Sequence, residues 1–81
     1  MSKTRPVTEK ELAEGRELFS LANEATAAAG QDRKNPELQR TKADRWSRLW
    51  EFKNRCRQSW RDLGFSSREE ETIKFYKPAH L

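Results

Sequence analysis

Residues 36–63 read PELQRTKADRWSRLWEFKNRCRQSWRDL, and this stretch decides the fold that the sequence predicts. It contains all three tryptophans, the single cysteine and eight of the 17 basic residues. Asn35 is a suitable N-cap before it, Pro36 suits the first helical position, and Gly64 suits the left-handed residue after a helix. We therefore expect one helix over 36–63, about 42 Å long at 1.5 Å per residue.

The C-terminal end of this helix has a further pattern. With Gly64 in the left-handed position, Trp60 and Phe65 occupy the two positions whose side chains meet in a Schellman motif. We therefore expect these two rings to be in contact.

A second helix is predicted before this stretch. Thr8 followed by Glu11 is a capping-box pattern, and Gly30 can supply a left-handed stop, so the helix should cover 8–29. Its apolar side is formed by large residues in the first half and mostly by alanine in the second, which leaves room for another helix or for an indole. The polar linker that follows is short enough to favour an antiparallel hairpin.

A short third helix is predicted near the end of the chain. Ser66 or Ser67 can cap it, with Glu69 or Glu70 as the capping-box partner. The helix should cover 67–76 and fold over the C-terminal end of the long helix.

Together these elements predict a single all-α domain. It is an antiparallel helical hairpin of 8–29 and 36–63 with the short helix 67–76, flanked by flexible tails at 1–7 and 77–81. The expected core comprises Leu12, Leu18, Phe19, Ala22, Ala25, Leu38, Leu49, Phe52, Cys56, Trp60, Leu63, Phe65 and Ile73.

Composition limits the core and the compartment. The 81 residues are 33% hydrophobic and 37% charged, with a net charge of +4, so the core must be thin. No apolar run approaches the roughly 20 residues of a membrane span, which predicts a protein outside the membrane. A single cysteine suits a reducing compartment, so we expect a cytoplasmic location.

The sequence gives no pattern of a catalytic or metal site. The only histidine, His80, is next to the C-terminus, and a tail histidine is usually solvent-exposed. Cys56 falls in the apolar stripe of the long helix, where a buried structural thiol is the better interpretation. We therefore expect no enzyme activity, no cofactor and no metal.

The candidate binding site is one shoulder of the long helix. At 100° per residue, two indoles and three cations lie beside the core-facing stripe. They form a strip of Lys42, Trp46, Trp50, Lys53 and Arg57.

Three interpretations of this strip are open. The indoles can fill the space over the alanines of the first helix, with the cation stems lying across them. The strip can bind an acidic, partly apolar protein, because tryptophan and arginine are enriched at interface hot spots. It can also bind nucleic acid, with Arg33, Lys34 and Arg61 as additional phosphate contacts.

We favour a macromolecular partner, and a protein over a nucleic acid. The reason is charge: 8–29 has a balance of −3 and 36–63 a balance of +4, so part of the positive charge can be satisfied within the chain. A homodimer that buries the shoulder tryptophans is a further alternative. By analogy of size and composition, the chain resembles accessory or inhibitory proteins of phages and mobile elements.

Overall fold

The computed structural model describes residues 6–79, and that part of the chain forms three α-helices and no β-strand. The helices are α1, Glu9–Gln31, α2, Pro36–Cys56, and α3, Ser67–Phe75. α1 and α2 pack against each other as a hairpin, so the predicted all-α class with a short third helix is confirmed. None of these helices is both long and apolar enough to cross a membrane.

The predicted helix starts are confirmed by their caps. Thr8 Oγ1 accepts from the backbone N–H of Glu11, and the Thr8 N–H donates to Glu11 Oε1, both at 3.1 Å. Ser66 and Glu69 form the same reciprocal pair at 3.2 and 2.9 Å. Asn35 Oδ1 accepts from two backbone N–H groups in the first turn of α2, at 3.0 and 3.3 Å. Each cap uses only residues within a few positions, so local sequence was enough to predict it.

The predicted stop at Gly30 is wrong. α1 continues through Gly30 to Gln31 and is capped by Asp32. Among residues 6–79, Gly64 is the glycine with a positive φ. A glycine near a helix end is tolerated without a left-handed turn when the backbone hydrogen bonds continue past it.

The predicted end of α2 is also wrong. The helix ends at Cys56 rather than at Leu63, because Arg57 adopts the left-handed conformation with φ 56° and ψ 40°. A separate helical turn follows, in which Ser59 Oγ accepts from the Asp62 N–H and Ser59 O accepts from the Leu63 N–H, both at 3.1 Å.

The break at Arg57 places apolar side chains in the core. Trp60 and Phe65 are 3% exposed and Leu63 is fully buried. A left-handed residue other than glycine costs roughly 1–2 kcal/mol. Burying each large apolar side chain contributes about 1.5–3 kcal/mol, so the burial of these three residues exceeds the backbone strain at Arg57.

The Schellman motif predicted at Gly64 is confirmed, although it ends this short turn and not a long helix. The Phe65 N–H donates to Trp60 O at 3.1 Å, and the Gly64 N–H donates to Arg61 O at 3.0 Å. Gly64 has φ 90°. The rings of Trp60 and Phe65 meet edge to face with centroids 5.8 Å apart.

The core differs from the predicted core mainly in its aromatic content. Eight of the predicted residues are in the buried cluster, and Leu18 and Phe19 pack against it while partly exposed. Leu12, Ala25 and Leu38 are half-buried. Trp46 and Trp50, which the sequence placed on the shoulder, belong to the buried cluster. Ring contacts run without interruption through Tyr76, Trp46, Phe19, Phe65, Trp60 and Trp50.

α3 explains this difference. It lies at the end of the hairpin, as expected, and it also runs back along α2, where it covers the shoulder. Trp50 Nε1 donates to the backbone oxygen of Ile73 at 3.2 Å. Tyr76, the residue after α3, stacks on Trp46.

The predicted tails fall partly outside the described part of the chain, which omits 1–5 and 80–81. Val7 is half-buried and packs against the core. Lys77 and Pro78 lie along α2 beside Trp46. The flexibility of the ends stays a prediction.

Candidate binding groove

The two shoulder tryptophans are internal side chains. Trp46 is 2% exposed, and its Nε1 donates to Thr26 Oγ1 at 2.8 Å. Thr26 in turn donates to Ala22 O at 2.8 Å within α1. Trp50 is 8% exposed. Trp46 thus packs against α1, as the first of the three interpretations describes, and Trp50 packs against Ile73 of α3, so neither indole is an exposed anchor.

The lysines of the predicted strip lie over aromatic rings of the chain itself. Lys42 Nζ is 5.1 Å from the ring centroid of Tyr76, and Lys53 Nζ is 5.7 Å from that of Trp60. Such contacts keep the aliphatic stem on the ring and the ammonium group in water. The remaining cation of the strip, Arg57, is exposed at the left-handed cap of α2.

Lys77 was not predicted as a site residue, because sequence analysis assigned it to a tail. The structure brings its Nζ to 5.6 Å from the ring centroid of Trp50. No sequence signal could have found it, since its position depends on the return of α3 along α2.

The C-terminal half of the strip faces a carboxylate. Glu70 on α3 accepts from Lys74 Nζ at 2.8 Å, and this contact lowers the pKa of Glu70 below its usual value of 4.5. The charges of Lys74, Arg61 and Lys53 lower that pKa further. Lys53 is therefore partly balanced by an acid of the same chain.

The N-terminal half of the strip opens into a groove of about 400 Å³ between α2 and the segment after α3. We call it the lysine groove. Its lining contains two lysines and no carboxylate, and five of its residues are aliphatic or aromatic. The lining residues are Gln39, Lys42, Ala43, Trp46, Ser47, Tyr76, Lys77, Pro78 and Ala79.

The outer face of α2 has a different character. Arg48 pairs with Asp44 at 2.8 Å, and Arg55 lies 3.7 Å from Glu14 of α1. The shallow surface between these residues also includes Glu51. Such mixed charge disfavours a phosphate backbone, because the acids would repel it.

The additional nucleic-acid residues do not form one patch. Arg33 and Lys34 are exposed in the linker before α2, and Arg61 is exposed beyond its other end. α2 has 21 residues, which is about 31 Å at 1.5 Å per residue. The two groups thus lie at opposite ends of the hairpin.

Cys56 has a structural contact. It is 6% exposed, and its thiol donates to Glu11 Oε2 at 3.5 Å, which joins the end of α2 to the start of α1. Within residues 6–79 no group of three histidine, cysteine, aspartate or glutamate side chains could hold a metal ion. His80 lies outside the described residues.

Comparison with models of known protein families, with curated proteins and with solved structures gives no match to this chain. The chemistry of the lysine groove is therefore the basis on which we argue function.

Proposed function

We propose that this chain is a non-enzymatic binding protein that engages an acidic protein partner through the lysine groove. The observation that supports it most directly is the charge of the lining. Lys42 and Lys77 border an apolar floor with no carboxylate among the lining residues. Within residues 6–79 neither lysine forms an ion pair.

The proposal keeps the protein-binding interpretation of the predicted strip but places the binding site at the N-terminal half of the strip, in the lysine groove. Lys42 and Trp46 belong to the groove, and Trp46 acts there as floor rather than as an exposed anchor. Lys53 and Arg57 extend the positive surface toward the end of α2. Trp50 contributes indirectly, because the ammonium group of Lys77 lies over its ring.

An accessory or inhibitory role in a phage or mobile element fits a small, highly charged chain, and the mechanism would be occlusion or bridging of larger machinery. The buried thiol of Cys56 suits a reducing compartment, so we place this activity in the cytoplasm.

The test is affinity capture from a host lysate with two variants of equal net charge. The double substitution Lys42→Glu and Lys77→Glu reverses the charge of the groove. Lys10→Glu with Arg68→Glu is the control, because both residues are exposed, lie in the first turns of α1 and α3, and tolerate an acid there. We expect the groove variant to lose the captured protein and the control to retain it. Equal capture by both variants would remove the proposal.

Nucleic acid is separated from protein in the same experiment. Binding to generic DNA or RNA should weaken steeply with salt, with a slope set by the number of phosphates contacted. Nuclease treatment of the lysate that abolishes capture, together with loss of binding on Arg33→Glu, would favour the nucleic-acid alternative over this proposal.

A further inference from the structure

We infer that the lysine groove binds a short acidic segment of a partner chain in which one apolar side chain lies between carboxylates. The apolar side chain enters the groove, and the carboxylates meet Lys42 and Lys77. This inference rests on the proposed function and specifies the chemistry of the partner.

The apolar floor of the groove favours the binding of an apolar side chain. Ala43, Trp46, Tyr76, Pro78 and Ala79 supply carbon surface, and water over such surface is released when an apolar group enters. The volume of about 400 Å³ is at the low end of the range for ligand pockets, about 300–1,000 Å³. It accepts one or two side chains and is too small to receive a folded surface.

The rim of the groove selects the acids. Lys42 and Lys77 come from different elements and border the same apolar floor. The ammonium group of Lys42 lies over Tyr76 in the floor, and that of Lys77 lies over Trp50, one helical turn along α2 from Trp46. A lysine is a point charge on a flexible stem, so it can meet a carboxylate at several positions. Exposed ion pairs contribute little net affinity, so the acids confer selectivity and the apolar side chain contributes most of the affinity.

The centre of the groove floor is formed before any ligand arrives. Trp46 is fixed by its hydrogen bond to Thr26 and by the stacked ring of Tyr76. Because these contacts already order Trp46 and Tyr76, little conformational entropy is lost at these two residues on binding. A short segment can therefore bind measurably despite its small contact area.

The experiment is an NMR titration of the full chain with synthetic peptides. The probe peptide has one leucine between two glutamates. In one matched peptide serine replaces the leucine, and in another lysines replace the glutamates. The readouts are the indole N–H signal of Trp46, assigned by its loss in Trp46→Phe, and the backbone signals of Ala43, Lys77 and Ala79.

We expect the probe peptide to shift these four signals, and each matched peptide to bind at least about tenfold more weakly. Lys77→Gln removes one exposed ion pair and should weaken the probe peptide by up to about fivefold, while Arg68→Gln, remote from the groove, should not. The inference is overturned if the groove signals do not move, if the lysine peptide binds as well as the probe, or if a short single-stranded RNA shifts the same signals at lower concentration.

The two proposals fail separately. If capture depends on Lys42 and Lys77 but the probe peptide leaves Trp46 unshifted, the acidic-segment inference is wrong and the binding function stands. If the probe peptide shifts the groove but capture is unchanged in the charge-reversed variant, the groove is a peptide site that the partner does not use.

Discussion

The ring of Tyr76 is stacked on the indole of Trp46, with centroids 4.7 Å apart and 12° between the planes. Trp46 also meets Phe19 of α1 edge to face at 6.1 Å. One indole of α2 therefore contacts α1 on one side and the residue after α3 on the other. This arrangement closes the shoulder of α2 and forms the floor of the lysine groove.

The stacked pair should contribute measurably to stability. We expect Tyr76→Ala to lower the free energy of unfolding by about 2 kcal/mol, because it removes an aromatic pair together with its apolar contact area. Tryptophan fluorescence should shift to the red as Trp46 gains water. Urea denaturation followed by fluorescence measures both effects.

Phe75 is the matched control for this prediction. Its ring meets that of Tyr76 edge to face at 5.0 Å, but it is 80% exposed and buries little area, so Phe75→Ala should cost clearly less than Tyr76→Ala, about 0.5 kcal/mol. Equal effects of the two substitutions would show that Tyr76 does not cover Trp46 in solution.

Thr26 should be needed as a hydrogen-bond acceptor. We expect Thr26→Val to destabilise the fold by about 1–3 kcal/mol, because it leaves the buried Nε1 of Trp46 without its partner. Thr26→Ser keeps an oxygen at this position and should cost less. Thermal unfolding compares them with Thr41→Val on the exposed side of α2. If Thr26→Val costs no more than Thr41→Val, the hydrogen bond contributes nothing.

The end of α2 can be tested by the sign of one substitution. Because Arg57 is left-handed, Arg57→Gly should stabilise the protein by up to about 1 kcal/mol. Arg40→Gly, at an exposed position inside α2, should destabilise it by about 1 kcal/mol. Denaturant melts of both variants are the measurement. Destabilisation by both would mean that the helix continues past residue 57.

Stability should depend on pH through Glu69. Its Oε2 accepts from Arg16 Nη1 at 2.6 Å, and this hydrogen bond, followed by that from the Ser66 backbone N–H, lowers the pKa of Glu69 below 4.5. A carboxyl whose pKa is lowered by folding stabilises the protein above its unfolded pKa. That stabilisation is lost as the pH falls through the lower pKa of the folded state.

We therefore expect Glu69→Gln to destabilise the protein at neutral pH by no more than about 1 kcal/mol, because the ion pair is partly exposed. The difference from the wild type should shrink as the pH is lowered below 4.5 and the carboxylate becomes protonated. Urea denaturation at neutral pH and at a series of acidic pH values measures it, with Glu71→Gln, an exposed neighbour, as the control. If the stability difference between Glu69→Gln and the wild type does not change with pH, the destabilisation comes from the cap geometry alone and not from the charge of Glu69.

Much of the local structure could be predicted from short patterns. Thr8 with Glu11 and Ser66 with Glu69 determine helix starts, because the donors and acceptors lie three residues apart. Gly64 determines a Schellman turn for the same reason. A signal for the break in α2 was also present but missed. Ser59 followed by Asp62 is an N-cap pattern inside the predicted helix.

The candidate site depended on contacts between distant residues. Periodicity placed Trp46 and Trp50 on the shoulder of α2 but could not show what covers them. Ile73 and Tyr76 lie 23 and 30 positions further along the chain than Trp50 and Trp46, respectively. Their approach depends on the left-handed turn at Arg57 and the short turn after it, which return the chain along α2.

The sequence by itself therefore determined the helix class, the caps and the basic character of α2, because each depends on neighbouring residues or on their sum. Only the tertiary structure decided that the shoulder indoles are buried, that Trp46 lies in the floor of the lysine groove, and that Lys42 and Lys77 lie at its edge. The physical reason is that a side chain's exposure is set by all the elements that pack on it, and Trp50 and Trp46 are covered by Ile73 and Tyr76, which are distant from them in the sequence.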